Sequence, residues 1–322
     1  MKTNTTTTST QSHLRPLPRA LFTLLFGIAA ALTFPAPHAD AAGIIYVVNG
    51  DGATIGSTGS IGAYNLDGTP VNTALITDLH SPQGLALDGT DLYVTNGSFG
   101  TVGAYTTSGG TTNVALLSGL NGPSTVAVDG GNLYVGYLAS AGNDRVGKYT
   151  TAGSTVAASL ITGLDGPFGL TVSGGFLYVA NLFPGIIGKY NLDGTPVNAS
   201  LINMGALASP VGLAISGSDL FVADQTSGKV GQYTTSGGTV NASLISGLDQ
   251  LGGIALFAGN LYVTQSVLGT ISEYTTAGTL VDAALVSGLH HPQGIVVVPE
   301  PSAWAMLAAG AVSLLGFRRR RS

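Results

Sequence analysis

The sequence has no cysteine, a single tryptophan, and charge on only 8% of its 322 residues. Without cysteine there is neither a disulfide framework nor a thiolate metal site. An ordinary soluble domain carries charge on about a quarter of its residues, so surface ion pairs contribute little here. Of the 11 basic residues, seven lie near the two ends, at Lys2, Arg15, Arg19 and Arg318 to Arg321. The stretch from Gly43 to Val298 therefore holds four basic and 14 acidic side chains, a net of −10. Nucleic acid is excluded as a partner, because it demands clustered Lys and Arg. Helical periodicity is also missing from this stretch: its apolar residues alternate with a period of two and nowhere recur at 3.6. What is abundant is glycine, at 48 residues about twice its usual share.

The ends read as addresses. Lys2, Arg15 and Arg19 precede an uncharged run over 20–34, then Pro35, Pro37 and the small residues Ala39, Ala41 and Ala42. A basic start, an apolar core and an Ala-x-Ala site predict a secretory signal peptide over 1–42, cut after Ala41 or Ala42. The run is shorter than the ~20 residues a membrane span needs. At the other end, Pro299-Glu300-Pro301 is followed by 16 uncharged residues, 302–317, and then by Arg318, Arg319, Arg320 and Arg321. The prolines break a preceding strand or helix and leave Glu300 extended. The uncharged stretch predicts a short membrane helix, and the arginines hold its end on the cytoplasmic side.

Between the ends one unit recurs six times. Its first mark is a hydrophobic triplet ending in valine, with central aromatics Tyr46, Tyr93, Tyr134, Tyr178, Phe221 and Tyr262, spaced 47, 41, 44, 43 and 41 residues apart. Its second is a tyrosine at 64, 105, 149, 190, 233 and 274, on nearly the same beat. A period in the forties built from short strands predicts an all-β propeller with four-stranded blades. In the second repeat the expected strands are a (Gly84 to Leu87), b (Leu92 to Thr95), c (Thr101 to Thr106) and d (Asn113 to Leu117), with Gly, Asn, Asp and Ser turns between them. The first b strand, at Ile45, has no a strand before it, and the last a strand, Gly294 to Val298, has no b strand after it. Joining these two gives six blades over 43–298 and leaves no sheet edge at the closure.

Two resemblances follow. The tail Pro299-Glu300-Pro301, 302–317 and Arg318 to Arg321 resembles the PEP-CTERM sorting signal of Gram-negative, biofilm-forming bacteria. That likeness implies an exosortase as processing partner, transient membrane attachment through the C-terminal helix over 299–322, and delivery to the cell surface or extracellular matrix. The repeat Pro82-x-Gly84-Leu85-Ala86-Leu87, Leu92-Tyr93-Val94, Gly103-x-Tyr105 resembles the NHL repeat and its lactonase-like six-bladed relatives. Here the Asp-x-x-Asn-x-Arg run of the NHL pattern is missing after strand b.

Candidate binding residues fall on the face where the b–c and d–a loops open. Strand b ends at Asn49, Asn96, Tyr137, Asn181, Asp224 and Gln265. Such a ring can hold a hard divalent cation or sugar hydroxyls, or its members can cap strand ends. The d–a loops add His80 and the pair His290-His291, which titrate near neutral pH and suit a metal or a general base. The lactonase-like resemblance implies a metal held by a glutamate with Asn and Asp. The repeats contain a single glutamate, Glu273, on strand c beside Tyr274. Asp67-Gly68 and Asp193-Gly194 read as c–d turns, and the Asn198 and Asn241 sequons belong to the repeat. There is no Gly-x-Ser-x-Gly, phosphate-binding loop or HExxH. The expectation is a cofactor-free, non-catalytic surface propeller that binds exopolysaccharide or surface proteins. The alternative is a metal-dependent hydrolase or lyase of the lactonase-like type.

Overall fold

The computed structural model describes Met1 and residues 43–50, 58–139, 143–206 and 208–299. The expected signal peptide and the tail from Glu300 onward lie outside these residues. Among the described residues no helix is long and apolar enough to cross a membrane.

Six antiparallel four-stranded sheets form, each in simple a-b-c-d order. In the second blade the strands are Pro82–Asp88, Asp91–Asn96, Thr101–Thr106 and Thr111–Leu117. The inner strands of the others begin at Pro123, Pro167, Pro210, Leu251 and Pro292. The first blade has Gly43–Asn49, Thr58–Asn65 and Pro70–His80, and takes Pro292–Pro299 as its inner strand. Ile44 pairs with Val298, Ile45 with Val297 and Tyr46 with Val296, so the ring closes by sheet pairing between the two ends of the domain. The closing strand runs one residue past the expected boundary, onto Pro299, which pairs with Gly43.

Among the described residues there is no single core. The buried apolar side chains form six clusters, and each lies between two consecutive blades. This is why the sequence carries two aromatic beats. Side chains of one strand alternate between its two faces. Tyr93 pairs across the sheet with Ala104, and Leu92 pairs with Tyr105. The two tyrosines of a blade therefore face opposite neighbours. Tyr93 packs with Tyr149 and Leu133 of the third blade, whereas Tyr105 packs with Tyr46 and Ile61 of the first. Each blade buries its faces only against its neighbours, so stability depends on the whole ring.

In five of the six blades a glycine two residues before the strand-c tyrosine lets the ring fold back along its own strand; the sixth has Ser272 there. A Cβ at Gly103 would meet the Tyr105 ring and hydroxyl at 2.7–2.8 Å. Near the axis the inner strands crowd together: a Cβ at Gly84 would meet the Thr125 backbone of the next blade at 2.7 Å. The free edges of the six inner strands surround a channel of about 330 Å³. The a–b and c–d turns open on one face of the disc, here the hairpin face. The b–c and d–a connections open on the other, the loop face.

Candidate functional site

The end of strand b is set by the sheet. Asn96 pairs with Pro82 on one side and Thr101 on the other, which buries its side chain beneath the d–a loop. Its Oδ1 accepts a hydrogen bond from the backbone N–H of His80 at 3.3 Å, and its Nδ2 donates to Thr101 Oγ1 at 3.4 Å. Gln265 repeats the arrangement: its Oε1 accepts from Asp249 N–H at 3.0 Å and its Nε2 donates to Ser272 Oγ at 2.7 Å. Asp224, only 5% exposed, takes four hydrogen bonds. Oδ1 accepts from the N–H groups of Ser209 (2.8 Å), Thr226 (3.2 Å) and Ser227 (3.5 Å), and Oδ2 accepts from Ser227 Oγ at 2.6 Å.

Tyr137 departs from this pattern. Its hydroxyl shares a short hydrogen bond with Tyr149, and Arg145 stacks over its ring at 4.6 Å. Burial, with the Tyr149 hydrogen bond adding to it, pushes the Tyr137 hydroxyl well above the usual tyrosine range. The loop-binding task passes to Asp144, whose carboxylate accepts from Ala139 N–H at 2.8 Å and Gly166 N–H at 2.7 Å. Sequence reasoning missed Asp144 because the longer b–c loop of this blade moves the acid seven residues along the chain. Asn49 and Asn181 keep a buried Oδ1 without a hydrogen-bond partner. Asn49 meets the Tyr64 hydroxyl, which burial raises and that hydrogen bond partly offsets. The ring residues thus sit on the second strand of each blade, and none lines the channel.

The channel is walled by inner-strand backbone, with Gln83, Ser124, Thr125 and Thr171 as the polar side chains of its lining. No lining residue is Asp, Glu, His, Lys or Arg. His80 lies on the loop face, where its ring stacks on Phe99 with centroids 3.7 Å apart. His290 lines a separate cavity of about 540 Å³ with Asn49, Tyr64 and Ser60, between the sixth and first blades. The structure therefore keeps His80, His290 and Asp224 apart. Among the described residues no three His, Asp or Glu side chains group as metal ligands do. Glu273 is buried between strands, accepting from Asn260 Nδ2 at 2.7 Å and Tyr262 hydroxyl at 3.0 Å. The Asp67 carboxylate closes its own turn on Thr69 N–H and Oγ1, and Asp193 does the same on Thr195.

The loop face also exposes large apolar side chains that the sequence reading passed over: Phe99 (61%), Phe183 (56%), Val267 and Leu268. All lie in short b–c loops. The signal for them was an aromatic or aliphatic residue where the fifth repeat places Thr226 and Ser227.

Among known protein families, residues 297–321 match the PEP-CTERM protein-sorting motif. No curated protein matches the chain. Among solved structures, a chain from "Crystal structure of Nidogen/Laminin Complex" is similar at 18% identity and a TM-score of 0.64, over 79% of this chain and 98% of that one. A chain from "Crystal structure of the computationally designed Ika8 protein" is similar at 14% identity and a TM-score of 0.47, over 76% of this chain and 73% of that one. At these identities the likeness concerns the fold. The motif implies export, sorting towards the cell surface in Gram-negative bacteria, and processing by an exosortase. The chain is an exported six-bladed β-propeller of four-stranded blades that carries a PEP-CTERM protein-sorting motif.

Proposed function

We propose that this protein is a non-catalytic binding propeller of the cell surface or extracellular matrix, holding exopolysaccharide on its loop face. In this reading residues 1–42 are the signal peptide, 43–298 the working domain and 299–322 the processed tail with its membrane helix. The observation that carries the reading is the state of Asp224. It is the sole carboxylate of the ring, and its oxygens are already engaged by three backbone N–H groups and a serine hydroxyl. A general base or metal ligand needs lone pairs directed at its substrate or ion. Loop-face surface, by contrast, is varied and partly apolar, as binding loops on a rigid scaffold are.

The termini support the same orientation. The chain enters the sheet at Gly43 and leaves it at Pro299, paired with each other on the hairpin face. A tail leaving from that face lets the opposite, loop face point outward. The test is retention of the purified full chain on the extracellular polymer of its host, with and without divalent cations. Retention independent of cations, and unchanged in Asp224→Asn, is the expected result. Loss of retention on cation removal, restored by one ion, would sink the metal-free reading, and release of cleaved polymer with that ion would favour the hydrolase.

A further inference from the structure

A second cavity, of about 500 Å³, lies between the first and second blades. That size falls within the range of about 300–1,000 Å³ typical of small-molecule sites. Its lining includes Thr77, Asp78, Asn96, Phe99, Thr101 and Tyr105. An exposed carboxylate, three threonines and an exposed phenyl ring therefore border one space, whereas the Asn96 amide is already engaged by His80 N–H and Thr101 Oγ1 and Tyr105 is packed between the blades.

Asp78 breaks the rule of its repeat. The equivalent positions in the second, third, fifth and sixth blades are Gly119, Gly163, Gly247 and Gly288. All four have left-handed backbone, with φ between +70° and +78°. Asp78 adopts the same conformation, at φ +59°, which residues with a side chain rarely do. Strand d of the first blade carries it on a bulge: Gly59 pairs with Leu79 and Ile61 with Ile76, so the Thr77-Asp78 pair faces one residue. The site thus retains a carboxylate where glycine fits the backbone better. An unfavourable local choice held by the surrounding fold is a mark of function.

Phe99 is the second departure. One face of its ring is stacked on His80, and the side chain is still 61% exposed. The stack fixes the orientation of the open face before anything binds. An aromatic face is electron-rich and attracts polarised C–H bonds, as on the flat side of a sugar ring. The Asp78 carboxylate, exposed and accepting one hydrogen bond from Thr77 Oγ1 at 3.1 Å, has further lone pairs for hydroxyl donors. A domain of net charge −10 repels an acidic polymer.

The geometry points to a binding subsite for a neutral hexopyranose unit, with Phe99 as the stacking platform and Asp78 as the hydroxyl acceptor. This rests on the polysaccharide reading and names its site and sugar class. The test uses the purified full chain in a detergent without a sugar headgroup. Dissociation constants are measured for neutral tetrasaccharides of glucose, galactose and mannose, and retention on the host's extracellular polymer is measured in parallel. Asp78→Gly is the decisive variant, because a glycine is what the equivalent backbone carries and the melting temperature should hold or rise. At least one tetrasaccharide is expected to bind, and Asp78→Gly and Phe99→Ala each to weaken it by roughly tenfold or more. Unchanged affinity in a normally melting Asp78→Gly overturns the subsite, as does failure of all three sugars to bind. If the polymer is still retained in either case, binding occurs elsewhere and the broader reading stands. If the wild-type chain does not retain the polymer, that reading falls as well.

Discussion

The two faces of the disc are built from the same six repeats, yet one is uniform and the other is not. On the hairpin face every c–d connection is four residues long, and each places a glycine against the wall of the preceding blade. A Cβ on Gly68 would lie 1.9 Å from the Leu285 carbonyl oxygen of the preceding blade, and the five equivalent glycines meet equivalent leucines at 2.3–2.8 Å. On the loop face the b–c connections run from four to eight residues. The staple is Asn96, Asp224 or Gln265 in three blades and leaves strand b for Asp144 in the third, while Asn49 and Asn181 keep their Oδ1 unbonded. The difference teaches where the repeat is constrained. Blade-to-blade docking on the hairpin side leaves no room for a side chain, so the turn cannot vary. On the loop side the d–a backbone is held by one acceptor of varying kind in four blades and by none of the ring side chains in the first and fourth.

Breaking the hairpin face should have the largest effect. Gly68→Ala combines a positive φ with a carbonyl in the way, and should cost about 3 kcal/mol. For a domain of this size that is a melting drop of roughly 6–12 °C in calorimetry. Gly89→Ala, at φ +60° in open space on the same face, should lose only about 1 kcal/mol. Equal losses at the two sites would mean that docking does not constrain the turn.

On the loop face, Asp224→Ala removes the acceptor of the Ser209 and Thr226 N–H groups. A loss of about 1–3 kcal/mol is expected, the same with or without added divalent cations. A loss seen only when a cation is present would show that the carboxylate holds an ion instead of the loop.

The walls between blades serve both faces and set a pH limit. Burial is the main cause raising the hydroxyls of Tyr46, Tyr64, Tyr105, Tyr137, Tyr190, Tyr233 and Tyr262 above their ordinary value near 10. A group whose pKa is raised on folding stabilises fully below its unfolded value, and that stability is lost as pH rises towards the folded one. Melting temperature should therefore be flat at neutral pH and fall steadily above about pH 10. A protein that melts at the same temperature at pH 8 and pH 11 would contradict the burial of these hydroxyls.

The smallest effect is a gain. His291 sits at φ +40° just before Pro292, where the third and fourth blades have Gly122 and Gly166. His291→Gly should add about 1 kcal/mol, or roughly 2–4 °C. A lower melting temperature would show that the imidazole itself holds the closing loop.

Much of this fold is written in the sequence at short range. Triplets ending in valine, tyrosines on a constant beat and Gly-x-Tyr pairs each report a local requirement, namely which face a side chain takes and where a ring must fold back. The unmatched strands at Ile45 and Gly294 were enough to reveal the closure. The candidate ring was legible as a set of positions, but its direction was not. Whether Asn96 or Asp224 points at the axis or at its own loop depends on a backbone N–H 15 or 16 residues earlier, which only the folded d–a connection brings close. Phe99 and His80 are likewise 19 residues apart in sequence and belong to different blades. Asp78 stood in plain view as a break in a glycine position, but its meaning came from a cavity that neither blade forms alone. By itself the sequence determined the strand pattern and the number of blades, because these follow from side-chain alternation and turn chemistry, and its C-terminal motif carried the sorting address. Tertiary structure decided which polar groups are spent on the scaffold and which face a space, because burial and hydrogen-bond partners are properties of neighbouring blades.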